Sequence, residues 1–85
     1  MELRETKVPK GWKVEFVHEG VSVSRAWVVD RQMRIGAAVL RVGGIGGVGT
    51  EEEYRRRGLA RQVLERCVEL MTREGYDASF LFGIQ

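Results

Sequence analysis

Apolar and polar residues alternate along the first half of the chain. In Trp12-Lys13-Val14-Glu15-Phe16-Val17-His18 the apolar side chains Trp12, Val14 and Phe16 fall at every second position, the period of a half-buried strand. Glu19-Gly20 is a turn signal. Alternation resumes over Val21 to Val29, so the two segments read as a hairpin. Asp30 to Arg34 reads as a polar connection, and Ile35 to Val42 as a third strand weakened by Gly36. Gly43-Gly44 then suggests a turn and Ile45 to Thr50 a fourth strand. Residues 1–11, polar and ending in Pro9-Lys10-Gly11, read as a lead-in. Glycine recurs at positions 43, 44, 46, 47 and 49, where it weakens a strand unless a bulge or a close approach needs it.

The period changes after Tyr54. Leu59, Ala60, Val63, Leu64, Cys67, Val68 and Met71 form an apolar stripe at steps of three and four, predicting a helix over residues 54–74. Gly75 is its stop. Ala78 to Phe82 is a short apolar run that predicts a fifth strand. The fold class is therefore α+β (mixed α/β): antiparallel strands over residues 12–50, then a strand–helix–strand unit. Its last strand would pair in parallel through a right-handed crossover.

With 85 residues the chain reads as one domain, 1–85. No apolar run approaches the roughly 20 residues of a membrane span, and Met1 to Glu5 lacks a signal-peptide core, so no membrane role and a cytoplasmic location are expected. Cys67 and His18 are the single cysteine and histidine, which argues against a metal site and makes Cys67 an inert thiol on a helix's apolar face. Net charge is a mild +2, but Arg55, Arg56 and Arg57 stand together, with Arg61, Arg66 and Arg73 following. Such a cluster favours an anionic ligand.

The chemistry concentrates in Val48-Gly49-Thr50-Glu51-Glu52-Glu53-Tyr54-Arg55-Arg56-Arg57-Gly58-Leu59-Ala60. Here a strand runs through an acidic loop into a basic, glycine-containing turn that opens a helix. The first helical turn has backbone N–H groups without intrahelical acceptors, and the helix dipole adds positive charge there. Gly58 lets a bulky anion approach the backbone and Ala60 keeps the next turn clear, so the segment reads as a pyrophosphate cradle. The three glutamates oppose an anion and read as a solvated acidic cluster near a helix start.

Arg55-Arg56-Arg57-Gly58-Leu59-Ala60 resembles the coenzyme-A signature of the GNAT superfamily, Gln/Arg-x-x-Gly-x-Gly/Ala. Val48 to Leu64 looks like that superfamily's fourth strand, pyrophosphate loop and third helix. Gly43 to Thr50 and Leu81-Phe82-Gly83-Ile84 look most like acetyltransferases of the enhanced-intracellular-survival type. The resemblance implies an N-acetyltransferase that transfers acetyl from acetyl-CoA to a small-molecule or peptide amine. Val48, Gly49 and Thr50 would pair with the pantetheine arm, and Arg55 to Arg61 would hold the pyrophosphate. The strands Ile45–Thr50 and Ala78–Phe82 would splay apart to admit the cofactor. A lysine-like acceptor with pKa about 10.4 must lose a proton first, at a cost of roughly 4–5 kcal/mol at pH 7. Glu51 is a candidate base beside the strand end, although the family pattern does not assign it.

The family usually has helices before its first strands, and a further helix and strands after the fifth, often with a tyrosine as acid. Tyr54 and Tyr76 sit in the wrong segments for that role and read as packing residues. The chain thus reads as an incomplete domain, open to homodimerisation or to pairing with a missing C-terminal half. Two other readings remain open. The arginines could serve a nucleic-acid-binding module, against which the near-balanced charge and adjacent glutamates argue. The chain could also be a non-catalytic GNAT-like interaction domain. The aromatic residues Trp12, Phe16 and Trp27 could line an acceptor cleft, although strand-spaced aromatics more often belong to a core.

Overall fold

In the computed structural model, which describes residues 1–81, the polar lead-in is itself a strand. β1 (Glu2–Val8) pairs antiparallel with β2 (Gly11–His18), with Leu3 opposite Phe16 and Glu5 opposite Val14. Its inward positions lack the apolar alternation that would betray a strand. Glu5 faces inward because Arg73 and Arg66 reach it from the helix, at 2.6 and 3.4 Å, a partnership invisible to local sequence. Gly11 opens β2 at φ +152, where a Cβ would lie 1.8 Å from the Val28 carbonyl oxygen, so only glycine permits that crossing.

β3 (Val21–Ile35) and β4 (Ala38–Thr50) are longer than their apolar patterns suggest. The expected polar connection Asp30–Arg34 continues β3, and the two strands pair without a break from Trp27↔Gly46 to Ile35↔Ala38. The hairpin turns at Gly36, with φ +60, and not at Gly43-Gly44. Gly43 is needed for a close approach instead: a Cβ there would meet the Met71 sulfur at 2.4 Å and the Tyr76 ring at 3.0 Å.

After Thr50 a single 3-10 turn (Glu52–Tyr54) precedes helix α1 (Leu59–Arg73). The helix starts five residues later than its sequence pattern suggested. Arg56 and Gly58 are both left-handed, at φ +63 and +72, and a left-handed residue cannot sit inside a right-handed helix. Beyond α1 the chain caps at Gly75 and enters β5 (Ala78–Leu81), parallel to β4 over Val42↔Ala78 to Ile45↔Leu81. Phe82 and the Phe82-Gly83-Ile84 part of the family resemblance lie outside the described residues.

The sheet order is β1-β2-β3-β4-β5, and α1 covers one face. Val14, Phe16, Ala26, Val28 and Ile45 from the strands meet Leu59, Val63, Cys67, Leu70 and Met71 from the helix in one buried cluster. Cys67 is fully buried, and burial pushes its thiol up to about 11, in keeping with an inert core residue. Trp12 packs against this cluster beside Phe16, whereas Trp27 lies on the opposite face, 37% exposed.

Candidate functional site

The pairing of β3 with β4 breaks near the top of the sheet. Arg25 faces Gly49 and Trp27 faces Gly46, so Gly47 and Val48 together oppose Ala26 alone. This is a β-bulge, and it requires Gly47 twice over. Its φ is +62, and a Cβ would fall 2.6 Å from Cδ1 of Trp27. A bulge bends a strand and re-aims its backbone groups. β5 pairs with β4 only as far as Ile45, so among the described residues the stretch Gly46–Thr50 has no strand partner on that side.

The bulged end of β4 and the start of α1 enclose a cavity of about 690 Å³. Val48, Gly49 and Thr50 line it from β4, Arg55, Arg56, Gly58, Leu59, Ala60 and Arg61 from the turn and α1, and Tyr54 lines it as well. Nine of the ten cofactor-binding residues expected from the sequence thus share one concavity. The tenth, Arg57, turns aside and places its guanidinium 5.1 Å from the centre of the Tyr54 ring. From sequence Tyr54 reads as a packing or loop residue. It packs against the core and also lines the cavity, with His18 edge-on to its ring at 6.1 Å. No sequence signal distinguishes that position, because its role depends on the loop that folds it back.

The chemistry of the cavity is that of an anion cradle. Gly58 is the N-cap of α1, and no side chain caps the helix there. The first intrahelical bond runs from the Gln62 N–H to the Gly58 carbonyl, at 3.2 Å, so helix geometry leaves the preceding N–H groups facing outward. No acidic residue lies in the first turn, and the dipole there is unopposed by the helix's own side chains. Nothing lies within 4 Å of a Cβ built on Gly58, so open space stands over the backbone. Around it, the Arg55 Nε donates to the Thr50 carbonyl at 3.4 Å, and Arg61 pairs with Glu65 at 3.0 Å.

Glu51 does not line the cavity. Its carboxylate accepts from Arg25 at 2.7 Å, its N–H bonds to the Val23 carbonyl, and Arg25 is tethered in turn to Ser22. Glu52 and Glu53 are exposed on the 3-10 turn. At the other end of the molecule, Arg41 stacks on Tyr76 at 4.1 Å and pairs with Asp30 at 3.3 Å. Burial pushes the Asp30 carboxyl up, but the neighbouring Tyr76 hydroxyl and Arg41 guanidinium together outweigh it and leave the group below the usual range. Burial and the nearby Asp30 push the Tyr76 hydroxyl up to about 12, yet it makes no hydrogen bond of good geometry. This cluster pins the end of α1 to the sheet. No group of residues suited to a metal ion occurs among the described residues, and no helix there is long and apolar enough to cross a membrane.

Comparison with known proteins agrees with this geometry. A family model described as an acetyltransferase (GNAT) domain matches residues 1–85. No curated protein matches the chain. Among solved structures, an acetyltransferase from Vibrio fischeri superposes with a TM-score of 0.76 at 19% identity, covering 87% of this chain and 62% of its own. A ribosomal-protein-alanine N-acetyltransferase from Brucella melitensis biovar Abortus gives 0.73 at 13% identity, covering 92% and 54%. An acetyltransferase from Trypanosoma brucei gives 0.74 at 21% identity, covering 87% and 53%. At these identities the likeness is one of fold, and the chain spans between half and two-thirds of the structures it resembles.

Proposed function

The chain belongs to the GNAT acetyltransferase domain family, and on that premise we propose that it provides the acetyl-CoA-binding part of an N-acetyltransferase. The observation that carries this reading is the shared cavity of the bulged β4 end and the uncapped start of α1. The N–H groups from Arg56 to Arg61 would hold the pyrophosphate, and the guanidinium groups of Arg55, Arg56 and Arg61 would add charge-assisted contacts. The backbone of Val48, Gly49 and Thr50 would pair with the pantetheine arm as an added strand. Acetyl-CoA supplies the activated acetyl group, and an acceptor amine attacks its carbonyl carbon. In this reading Glu51, held by Arg25 and bonded to Val23 outside the cavity, ties the connection between β4 and α1 to β3 rather than serving as the base that receives the acceptor's proton. The acceptor is a small-molecule or peptide amine, and the reaction is cytoplasmic.

A concave cradle favours this reading over a nucleic-acid surface, since Arg57 turns from its neighbours to stack on Tyr54 and breaks the basic face. Calorimetric titration with acetyl-CoA tests it. Binding by the parent chain, lost in Gly58→Glu while the fold is retained, is the expected result. No binding by a folded parent would defeat the reading and leave the non-catalytic interaction domain. Steeply salt-dependent binding of DNA or RNA in its place would favour the nucleic-acid module.

A further inference from the structure

Trp27 lies on the sheet face away from α1, so the buried cluster under the helix does not account for its packing. It stands where the pairing of β3 with β4 changes step, opposite Gly46 and next to the bulge. Its indole rests on the extra residue. Cδ1, Nε1 and Cγ lie 2.6, 3.3 and 3.7 Å from the place that a Cβ on Gly47 would occupy, and these are the three heavy atoms nearest to it. From the neighbouring strand the Lys13 ammonium stands 5.1 Å from the centre of the same ring and 3.3 Å from Glu15 Oε1, which helps to hold the indole in place.

Glycine alone does not fix this bulge. Without a Cβ it adopts positive and negative φ with similar ease, so the +62 of Gly47 needs a neighbour to hold it. The bulge also decides which backbone groups reach the cavity. From Trp27 to Arg25 β3 advances two residues, while β4 advances three, from Gly46 to Gly49. Successive N–H groups of a strand alternate between its two edges, so those that point to the open edge of β4 shift by one residue across Gly47 and Val48.

We propose that Trp27 is a positioning residue for the acetyl thioester: its indole holds Gly47 left-handed, so that a backbone N–H of the Gly47–Val48 pair is aimed at the thioester oxygen. The proposal rests on the acetyl-CoA reading of the cavity. The pantetheine arm carries two amide groups, enough to pair with Val48, Gly49 and Thr50, and the thioester beyond the second amide then falls beside the bulge. An N–H donated there withdraws electron density from the carbonyl carbon that the acceptor amine attacks. Trp27 touches neither cofactor nor acceptor in this role and acts through Gly47.

Calorimetric titration of the full chain with acetyl-CoA and with S-ethyl-CoA, in which a methylene replaces the carbonyl, isolates that contact. The parent is expected to bind acetyl-CoA about fivefold tighter, the worth of one hydrogen bond. Trp27→Ala should bind S-ethyl-CoA as the parent does and lose the preference, because the phosphate cradle at α1 is untouched while the bulge is released. Gly47→Ala, which displaces the ring from the other side of the contact, should lose the preference as well. Trp27→Phe, which keeps Cγ and Cδ1 for the contact with Gly47, should retain it. Equal affinity of the parent for the two ligands overturns the proposal and leaves the cofactor reading standing. So does a preference that persists in Trp27→Ala or Gly47→Ala, and so does a folded Trp27→Ala chain that loses both ligands alike, since that is a merely structural role. Absence of binding of either ligand by the folded parent overturns both.

Discussion

Two glycines show how one residue type serves different physical needs. Gly58 is left-handed with open space above it, so Gly58→Ala meets only the left-handed strain of an L-residue, about 1 kcal/mol. Gly47 is left-handed as well, but its added Cβ would press into the Trp27 indole at 2.6 Å. Gly47→Ala is expected to lower stability by about 2–3 kcal/mol, more than Gly58→Ala, in urea unfolding. In the Trp27→Ala background the difference should shrink towards the strain alone, a coupling that a double-mutant cycle reads directly. Cys67 gives a pH-dependent counterpart. Its folded thiol is raised to about 11 by burial, so stability is full below the unfolded value near 9 and falls as pH rises towards 11. Tyr76, raised to about 12, extends the same downward trend. The urea midpoint should drop between pH 8 and pH 11, and Cys67→Ala should reduce that drop.

At the scale of elements, β1 and α1 illustrate mutual dependence. β1 carries little apolar surface apart from Leu3, and its anchor is the Glu5 carboxylate between Arg66 and Arg73. Glu5 is 18% exposed, so removing its charge leaves two guanidinium groups without their shared carboxylate. Glu5→Gln should cost about 1–2 kcal/mol in denaturant unfolding at pH 7. Double replacement of Arg66 and Arg73 by Met should cost a similar amount if the carboxylate and the arginines act as one unit.

The whole molecule is elongated, with extents of 48 × 23 × 19 Å, because the β3–β4 hairpin runs on beyond the part that α1 covers. From Arg31 to Val39 every residue is exposed, including Met33, Ile35 and Val39. Segments held by cross-strand bonds alone open at lower free energy than those packed in a core. Amide exchange should therefore be fast at Gln32, Arg34 and Leu40 and slow at Ala26, Val28 and Ile45. Uniform protection along both strands would show that something covers the hairpin in solution.

Elements whose apolar positions face the core were legible from composition and period. β2, the covered part of β3 and the body of α1 follow from where Val14, Val28 and Val63 fall in the pattern, whereas β5 follows from its short apolar run although its residues are exposed. Most of the candidate site was legible too, since backbone N–H groups at a helix start depend on local geometry that Gly58 and Ala60 signal by themselves. What needed the tertiary structure is whatever distant groups decide. β1 forms because arginines some sixty residues away meet Glu5. Asp30–Arg34 stays extended because β4 pairs with it, Gly43-Gly44 is strand because Asp30 and Val29 pair with it, and Met71 and Tyr76 leave room at Gly43 only for glycine. Tyr54 enters the site, and Arg57 and Glu51 leave it, through contacts with His18, Tyr54 and Arg25 respectively. Period and turn chemistry are written in neighbouring residues, whereas contacts between distant segments exist only once the chain has folded.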